Sequence, residues 1–159
     1  MPISPYVAGL RRRVGSDLLL LPSVMGIVYD DASRVLLVRQ SADALWSTPG
    51  GVIEPTETPA TAVVREVREE TGLEVNVVRL LGVYGGPAFV VDYPNGDRCQ
   101  YVSIIFECEA NGGNLTADGD ETDALTYAGP QDIRKLRCQP WMKHVLPLIW
   151  NRSPTAFFQ

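Results

Sequence analysis

The segment VVREVREETGL, residues Val63–Leu73, carries three glutamates within five positions: Glu66, Glu69 and Glu70. We predict one helix over Thr58–Gly72, because proline suits the first turn of a helix and glycine its C-terminal end. Glutamates one helical turn apart repel each other by a few tenths of a kcal/mol. The segment therefore predicts a helix whose acidic side needs a positive charge beside it.

The apolar residues of this helix predict which side faces the core. Four of them recur at the spacing of one helix face: Ala60, Val63, Val64 and Val67. The glutamates form a neighbouring stripe, with Glu70 at the edge of the apolar side. A solvated amphipathic helix with Arg65 paired to Glu69 would explain the same charges. Converging carboxylates are also the ligands that Mg²⁺ and Mn²⁺ prefer, and a divalent ion would remove the repulsion.

Apolar and β-branched runs around the helix predict strands. Residues Pro22–Asp30 and Arg34–Gln40 flank a short turn and predict a hairpin. Further strands are predicted at Leu73–Tyr84 and near residues 121–128, with a second hairpin at Asn95–Gly96. This order predicts an α+β fold with helices packed on a mostly antiparallel sheet.

Both ends of the chain also carry predicted elements. The 159 residues suit one domain, 1–159, with a helical extension at 1–16 and a tail at 151–159. The last helix should be interrupted at Pro147. Because an amphipathic N-terminal helix and the aromatic pair Phe157 and Phe158 need partners, we expect a homodimer.

Composition narrows the classes of function. The net charge of −5 argues against binding to duplex nucleic acid or an anionic membrane, since both need basic surfaces. A small phosphate-bearing molecule stays compatible, because metal ions can supply positive charge locally. No run reaches the roughly 18 apolar residues of a membrane span, and no signal-peptide core is evident. Three cysteines without Cys-x-x-Cys spacing indicate reduced thiols, so we expect a cytoplasmic protein.

The longer stretch GVIEPTETPATAVVREVREETGL, Gly51–Leu73, resembles the box motif of the Nudix hydrolase family. That motif reads Gly, five residues, Glu, seven residues, then Arg-Glu-apolar-any-Glu-Glu-any-Gly-apolar. Every specified position is filled here, by Gly51, Glu57, Arg65, Glu66, Val67, Glu69, Glu70, Gly72 and Leu73. One departure is Thr56, where many members of the family carry glycine; threonine fits if the turn does not need a positive φ.

The resemblance implies both a fold and a reaction. The fold would be an α/β/α sandwich around a mixed β-sheet. The reaction would be hydrolysis of a pyrophosphate bond in a nucleoside diphosphate linked to another moiety, with Mg²⁺ or Mn²⁺ as cofactor. The substrate would be ADP-ribose, a nucleoside triphosphate, a dinucleoside polyphosphate or a nucleotide sugar.

The resemblance also implies roles for residues of the box. Glu66 and Glu70 would be metal ligands, Glu69 would bind directly or through water, and the carbonyl of Gly50 would be a further ligand. Arg65 would orient the helix through Glu57, which we expect to be structural support.

The base that activates water is left open between a box glutamate and Glu121 of a later loop. Acids of that loop could instead only solvate it: Asp118, Asp120, Glu121 and Asp123. The single histidine, His144, makes a Ser-His-Asp triad conceivable and excludes a multi-histidine metal site. As substrate contacts near the box we expect Arg39, Trp46, Tyr84 and Phe89.

Two other functions compete with hydrolysis of a small nucleotide. A nucleotide-binding regulator with little turnover would typically have lost a box glutamate, and this chain has all of them. An RNA decapping enzyme is disfavoured by the acidic charge and the lack of added RNA-binding segments.

Overall fold

A mixed β-sheet forms the centre of the computed structural model, which describes residues 4–93 and 95–158. The strands are, in chain order, β1 (Leu19–Val28), β2 (Val35–Gln40), β3 (Trp46–Ser47), β4 (Gly50–Val52), β5 (Leu73–Tyr84), β6 (Val90–Asp92), β7 (Arg98–Gly113), β8 (Thr122–Ala128) and β9 (Phe157–Phe158). The helices are α1 (Pro5–Val14), α2 (Pro59–Thr71) and α3 (Met142–Trp150), with 3₁₀ turns at Pro87–Phe89 and Ile133–Lys135.

The strands form two sheets. The larger has the order β4-β1-β7-β5-β9, with β6 also paired to β7, and the smaller has the order β3-β2-β8. The pair β1 and β7 is parallel, whereas β5 and β7 are antiparallel. The larger sheet is therefore mixed, which differs from the mostly antiparallel sheet expected from element order. The long connection between β1 and β7 includes α2, which makes a parallel pairing feasible.

Two apolar clusters show how the helices cover the sheets. One lies against α2 and includes Val24 and Leu36, and the other lies against α3 and includes Ile27 and Leu37. Adjacent residues of β2 thus pack on opposite faces, as strands buried on both sides do. The α+β sandwich implied by the sequence is confirmed.

Helix α2 begins and ends where the sequence predicts. The Thr58 hydroxyl accepts a hydrogen bond from the Thr61 N–H (3.2 Å), and the Thr61 hydroxyl accepts one from the Thr58 N–H (3.0 Å). This reciprocal cap satisfies N–H groups that have no partner inside the helix. At the other end Gly72 is left-handed, with φ 72°.

The orientation of α2 differs from the helix-wheel prediction. Ala60 is exposed, whereas Ala62 is fully buried, as are Val63 and Val67. Helix α2 approaches β1 closely at Gly26, where an added Cβ would lie 2.5 Å from a Val67 methyl. The buried face of α2 therefore includes part of its acidic stripe.

Three predicted connections can be compared with the structure. The Asn95–Gly96 hairpin is confirmed by antiparallel pairing of β6 with β7. The predicted reversal between β1 and β2 is present, with an antiparallel bridge from Tyr29 to Val35, but the expected pairing of the two strands is wrong because they belong to different sheets. Helix α3 continues through Pro147, and the interruption expected there is wrong. Proline lacks only one intrahelical N–H donor, and packing of the flanking turns retains the helix.

Both chain ends find partners within the chain. Helix α1 is capped by Ser4, whose hydroxyl accepts a hydrogen bond from the Val7 N–H (3.1 Å), and Val7 is buried. Strand β9 pairs in parallel with β5, which half-buries Phe157 and leaves Phe158 exposed. Within the described residues, no helix has the length and apolarity to cross a membrane.

The turn before α2 holds a strained residue. Thr56 has φ 77°, in the left-handed region that a β-branched residue rarely adopts. The sequence-based condition that this turn needs no positive φ is therefore wrong. Two hydrogen bonds within the turn hold this conformation: the Glu57 N–H donates to the Glu54 carbonyl (3.1 Å), and the Glu54 N–H donates to the Glu57 carboxylate (3.0 Å).

Replacement Thr56→Gly is expected to stabilise the fold by about 1 kcal/mol. Strain of roughly 1–3 kcal/mol is relieved, and part of it is offset by the larger chain entropy of unfolded glycine. Urea unfolding measures the difference, and Thr56→Ala, which keeps a Cβ at positive φ, should gain less. Equal or lower stability of Thr56→Gly would contradict the strain.

Candidate active site

The guanidinium of Arg65 links the loop before α2 to the helix itself. Its Nε and Nη2 donate to the two carboxylate oxygens of Glu57, at 2.7 and 2.9 Å. Nη2 also donates to the Val52 carbonyl on β4 (3.2 Å). These hydrogen bonds from Arg65 lower the pKa of Glu57. The pair therefore orders the loop and fixes its distance from the helix.

The same guanidinium offsets the repulsion between glutamates that the sequence predicts for α2. Its Nη1 donates to Glu66 at 2.8 Å and to Glu69 at 3.0 Å. Arg65 is hydrogen-bonded to both carboxylates, so the distance between Glu66 and Glu69 in this structure is set by a positively charged side chain of the protein. Within the described residues, no group of three His, Cys, Asp or Glu side chains is arranged so that it could hold a metal ion.

Two of the three stripe glutamates are buried. Glu66 is 7% exposed and Glu70 1% exposed, whereas Glu69 is exposed. Burial raises the pKa of Glu66 to about 7, against the lowering effect of Arg65. Burial also raises the pKa of Glu70 to about 8, against a hydrogen bond from the Gly50 N–H (2.9 Å). Desolvated carboxylates of this kind bind a hard cation favourably, because it stabilises their charged form.

Glycines of the loop make room for the acids. A Cβ on Gly51 would overlap the carboxylate of Glu66, so only glycine lets that carboxylate lie against the strand. A Cβ on Gly50 would overlap the Val24 carbonyl of β1. The Gly26 N–H donates to the Pro49 carbonyl (2.8 Å), which holds the loop on β1. Strand and helix thus meet where the carboxylates are.

A fourth acid approaches from the end of the smaller sheet. Glu121 directly precedes β8, and the hydroxyl of its neighbour Thr122 donates to the backbone carbonyl of Glu70 (3.0 Å). The Thr122 N–H donates to Asp118 (2.9 Å), which shapes the turn. Burial raises the pKa of Glu121, and the charges of Asp118 and Glu69 add to the rise.

Three of these acids, Glu66, Glu69 and Glu121, line a large cavity of about 790 Å³. Four aromatic residues line the same cavity: Phe89, Tyr93, Tyr101 and Trp141. The rings of Phe89 and Trp141 are stacked with centroids 6.0 Å apart. A volume in this range suits a nucleotide-sized ligand. The arrangement joins a carboxylate cluster suited to phosphate chemistry through metal ions with a region suited to a base.

Comparison with known proteins agrees with this geometry. The family model of the NUDIX domain matches residues 19–149. The chain belongs to the Nudix family. Members of this family hydrolyse pyrophosphate bonds of nucleoside diphosphate derivatives, and the chain is a Nudix pyrophosphohydrolase.

Individual Nudix proteins resemble the chain over most of its length. A MutT-like protein of Streptomyces ambofaciens is 33% identical over 83% of this chain and 79% of its own length. A putative 8-oxo-dGTP diphosphatase of Bacillus subtilis (strain 168) is 35% identical over 65% of this chain and 63% of its own length. The crystal structure of a UDP-X diphosphatase matches 97% of this chain and 74% of that chain, with TM-score 0.74 and 22% identity, which shows the fold alone.

The structure brings most of the predicted Nudix site residues together. Five of the residues predicted to be catalytic or to bind the metal line the cavity: Gly50, Arg65, Glu66, Glu69 and Glu121. Glu70 lies behind them, bonded to the Gly50 N–H, and Glu57 lies behind Arg65. His144 is exposed on α3 and does not line this cavity.

The predicted substrate contacts are divided. Phe89 lines the cavity, whereas Arg39, Trp46 and Tyr84 do not. Arg39 pairs with Asp123 (2.7 Å) and lies over the Trp46 ring at 5.8 Å. Tyr84 is buried in the core. Side chains alternate between the two faces of a strand, so Arg39 points away from the cavity while the next residue, Gln40, lines it.

Sequence reasoning missed several residues that line the cavity: Arg11, Ser23, Thr48 and Ser103. The sequence held a signal for two of them, because Ser23 and Ser103 each interrupt an apolar stretch that predicts a strand. Arg11 lies outside the region matched by the Nudix model, and only the packing of α1 brings it near.

The replacement Gly51→Ala is expected to reduce turnover by about 100-fold, the effect of a catalytic group moved by about 1 Å. The new Cβ displaces the end of the flexible Glu66 side chain, so stability should change little. Steady-state hydrolysis and thermal unfolding together test this. Gly85→Ala is the matched control, since its Cβ would find only ordinary contacts at 3.6 Å. Full activity of Gly51→Ala would contradict this role for Gly51.

Proposed function

We propose that this Nudix enzyme hydrolyses a nucleoside diphosphate derivative with Mg²⁺ or Mn²⁺ bound at its acidic stripe. The observation that carries the proposal is the charge of the cavity. Seven carboxylates line it against two arginines: Asp43, Glu54, Glu66, Glu69, Asp92, Asp97 and Glu121 against Arg11 and Arg65. A pyrophosphate is strongly repelled from such a surface, and bound divalent ions would reverse that repulsion.

The ligand types of the acidic stripe suit a divalent ion, and in this structure the guanidinium of Arg65 holds Glu66 and Glu69. Glu66, Glu69 and Glu70 offer the hard oxygen ligands that Mg²⁺ and Mn²⁺ select, and the Gly50 carbonyl is proposed as a further ligand. The raised pKa of the buried pair Glu66 and Glu70 means that a nearby cation favours their ionised form. We propose that a metal ion takes over the role that Arg65 fills towards Glu66 and Glu69.

Each residue of the site would then have a separate role in the reaction. When bound, Mg²⁺ or Mn²⁺ neutralises the phosphate oxygens and activates the attacking water. Arg65, anchored by Glu57, keeps the acidic side chains in position. Glu121 accepts the proton of the water, and a box glutamate is the alternative base. Phe89 and Trp141 hold the base of the nucleotide by stacking.

The size of the cavity is compatible with several nucleoside diphosphate derivatives. Its volume of about 790 Å³ accommodates ADP-ribose, a nucleoside triphosphate or a nucleotide sugar. A panel of these compounds and dinucleoside polyphosphates, assayed for released phosphate groups with Mg²⁺ and with Mn²⁺, selects among them. Binding without any hydrolysis would indicate a nucleotide-binding regulator, and preference for capped RNA would indicate decapping.

We also propose a cytoplasmic location and a homodimer. A cytoplasmic location is consistent with Cys99, Cys108 and Cys138 being free thiols. The homodimer was expected because two chain ends lacked partners, and both ends pack within the chain. Phe158, 87% exposed, is the remaining reason for a dimer. Light scattering at several concentrations tests it, and a monomer throughout would remove the proposal.

The substitution Glu70→Gln is expected to lower turnover by about 100-fold or more, because it removes a charged metal ligand. The neutral amide can still accept the Gly50 hydrogen bond, and it avoids burying a charge, so the melting temperature should not fall. Glu109→Gln, on an exposed stretch of β7, is the control. Magnesium-dependent rates like those of the wild type would refute the role of Glu70.

The substitution Glu121→Gln is expected to slow hydrolysis by about 100-fold, the usual contribution of a general base. The Mg²⁺ concentration for half-maximal rate should stay the same, since this residue is not proposed as a ligand. The control Asp120→Asn removes an exposed charge from the same loop. An unchanged rate in Glu121→Gln would assign the base to a box glutamate.

A further inference from the structure

One buried hydroxyl in the cavity wall has no hydrogen-bond partner. Thr48 is 2% exposed, and its Oγ1 is buried without a donor or acceptor among the described residues. The side chain lines the cavity. An unsatisfied buried hydroxyl destabilises a fold, so its retention in a cavity wall indicates a partner that arrives with the ligand.

Two more hydroxyls form part of the same wall. Ser23 of β1 and Ser103 of β7 are paired in register, and their Oγ atoms are 2.7 Å apart. Both are buried and both line the cavity. One hydroxyl donates to the other, and the accepting hydroxyl keeps a proton that this bond does not use. Ser103 is fully buried and Ser23 is 5% exposed, so a further hydrogen bond into the cavity would come from Ser23, with Ser103 as its partner behind it.

These hydroxyls line the same cavity as the acids and the aromatic rings, and they are close in sequence to members of both groups. Thr48 is two residues before Gly50, whose N–H binds Glu70. Ser103 is two residues after Tyr101, so both side chains point to the same face of β7. A ligand with its pyrophosphate at the acids and its base at the aromatic rings has its sugar in the middle of the molecule, where hydroxyls of the same cavity wall are the groups that would contact it.

We infer that Thr48 and the Ser23–Ser103 pair recognise the sugar hydroxyls of the nucleoside, so that the enzyme prefers ribonucleotides to 2′-deoxyribonucleotides. This inference rests on the proposed function and deepens it by naming the sugar. The hydroxyls are neutral and can both donate and accept, which matches a sugar hydroxyl better than a phosphate. A 2′-deoxy sugar would leave a buried group unpaired, which is how such sites reject analogues.

The test compares the affinity of sugars that differ by one oxygen. Titration calorimetry with Mg²⁺ measures binding of ADP, CDP, GDP and UDP and of their 2′-deoxy counterparts. The wild-type protein should bind the ribose form about fivefold more tightly or better, as one hydrogen bond supplies. Thr48→Val should bring that ratio close to one by weakening only the ribose form. Thr48→Ser, which keeps a hydroxyl, should retain the preference.

Controls separate recognition from damage to the fold. Thr126→Val makes the same threonine-to-valine change at a residue of β8 that does not line the cavity. It should leave the ribose-to-deoxyribose affinity ratio unchanged. Thr48→Val should melt at or above the wild-type temperature, because it removes an unpaired buried hydroxyl. Ser23→Ala supplies a second variant and should also lower the ratio.

The outcomes distinguish the two proposals. An active enzyme with a ribose-to-deoxyribose ratio near one, or a ratio unchanged in both Thr48→Val and Ser23→Ala, overturns this inference alone. Equal weakening of both sugars by Thr48→Val also overturns it, since that result indicates a general loss of shape. A protein that neither binds the diphosphates nor hydrolyses any nucleotide of the panel overturns the proposed function and this inference together.

Discussion

The site depends on one guanidinium held among carboxylates. Arg65 contacts Glu57 through two nitrogens and reaches Glu66 and Glu69 through the third. A planar fork with fixed donors can hold several carboxylates at once, which the single ammonium of lysine cannot do in the same geometry. The loop, the helix and the acidic stripe are therefore ordered by the same side chain, and removing it would affect all three.

A second constraint is the close approach of α2 to β1 and β4. Gly26 and Gly51 have no side chain, so the helix lies near the strands and Glu66 reaches the strand surface. The buried face of α2 then contains both valines and carboxylates. Packing of Val63 and Val67 favours this orientation, while burial of the two acids opposes it through their desolvation. The site holds its charges in an unfavourable environment, and a bound cation would compensate for that.

The cavity combines the Nudix region with a part of the chain outside it. Helix α1 precedes the matched residues 19–149, and its Arg11 lines the cavity. Arg11 donates to the carbonyls of Asp17 (2.7 Å) and Arg98 (2.6 Å), which fastens α1 to β7. The cavity lining thus joins glutamates of the box with Arg11 of α1, which lies outside the residues matched by the Nudix model.

The sequence by itself determined the helix Pro59–Thr71, the strand Leu73–Tyr84 and the spacing of the glutamates, because caps, glycine and periodicity act over a few residues. Only the tertiary structure decided which face of that helix is buried, that β1 pairs in parallel with β7, and that Arg39 and Tyr84 point away from the cavity. These outcomes follow from contacts between segments far apart in the chain, where packing of whole faces outweighs local preference. The unpaired hydroxyl of Thr48 belongs to the same group, since burial and lack of a partner are properties of the folded chain alone.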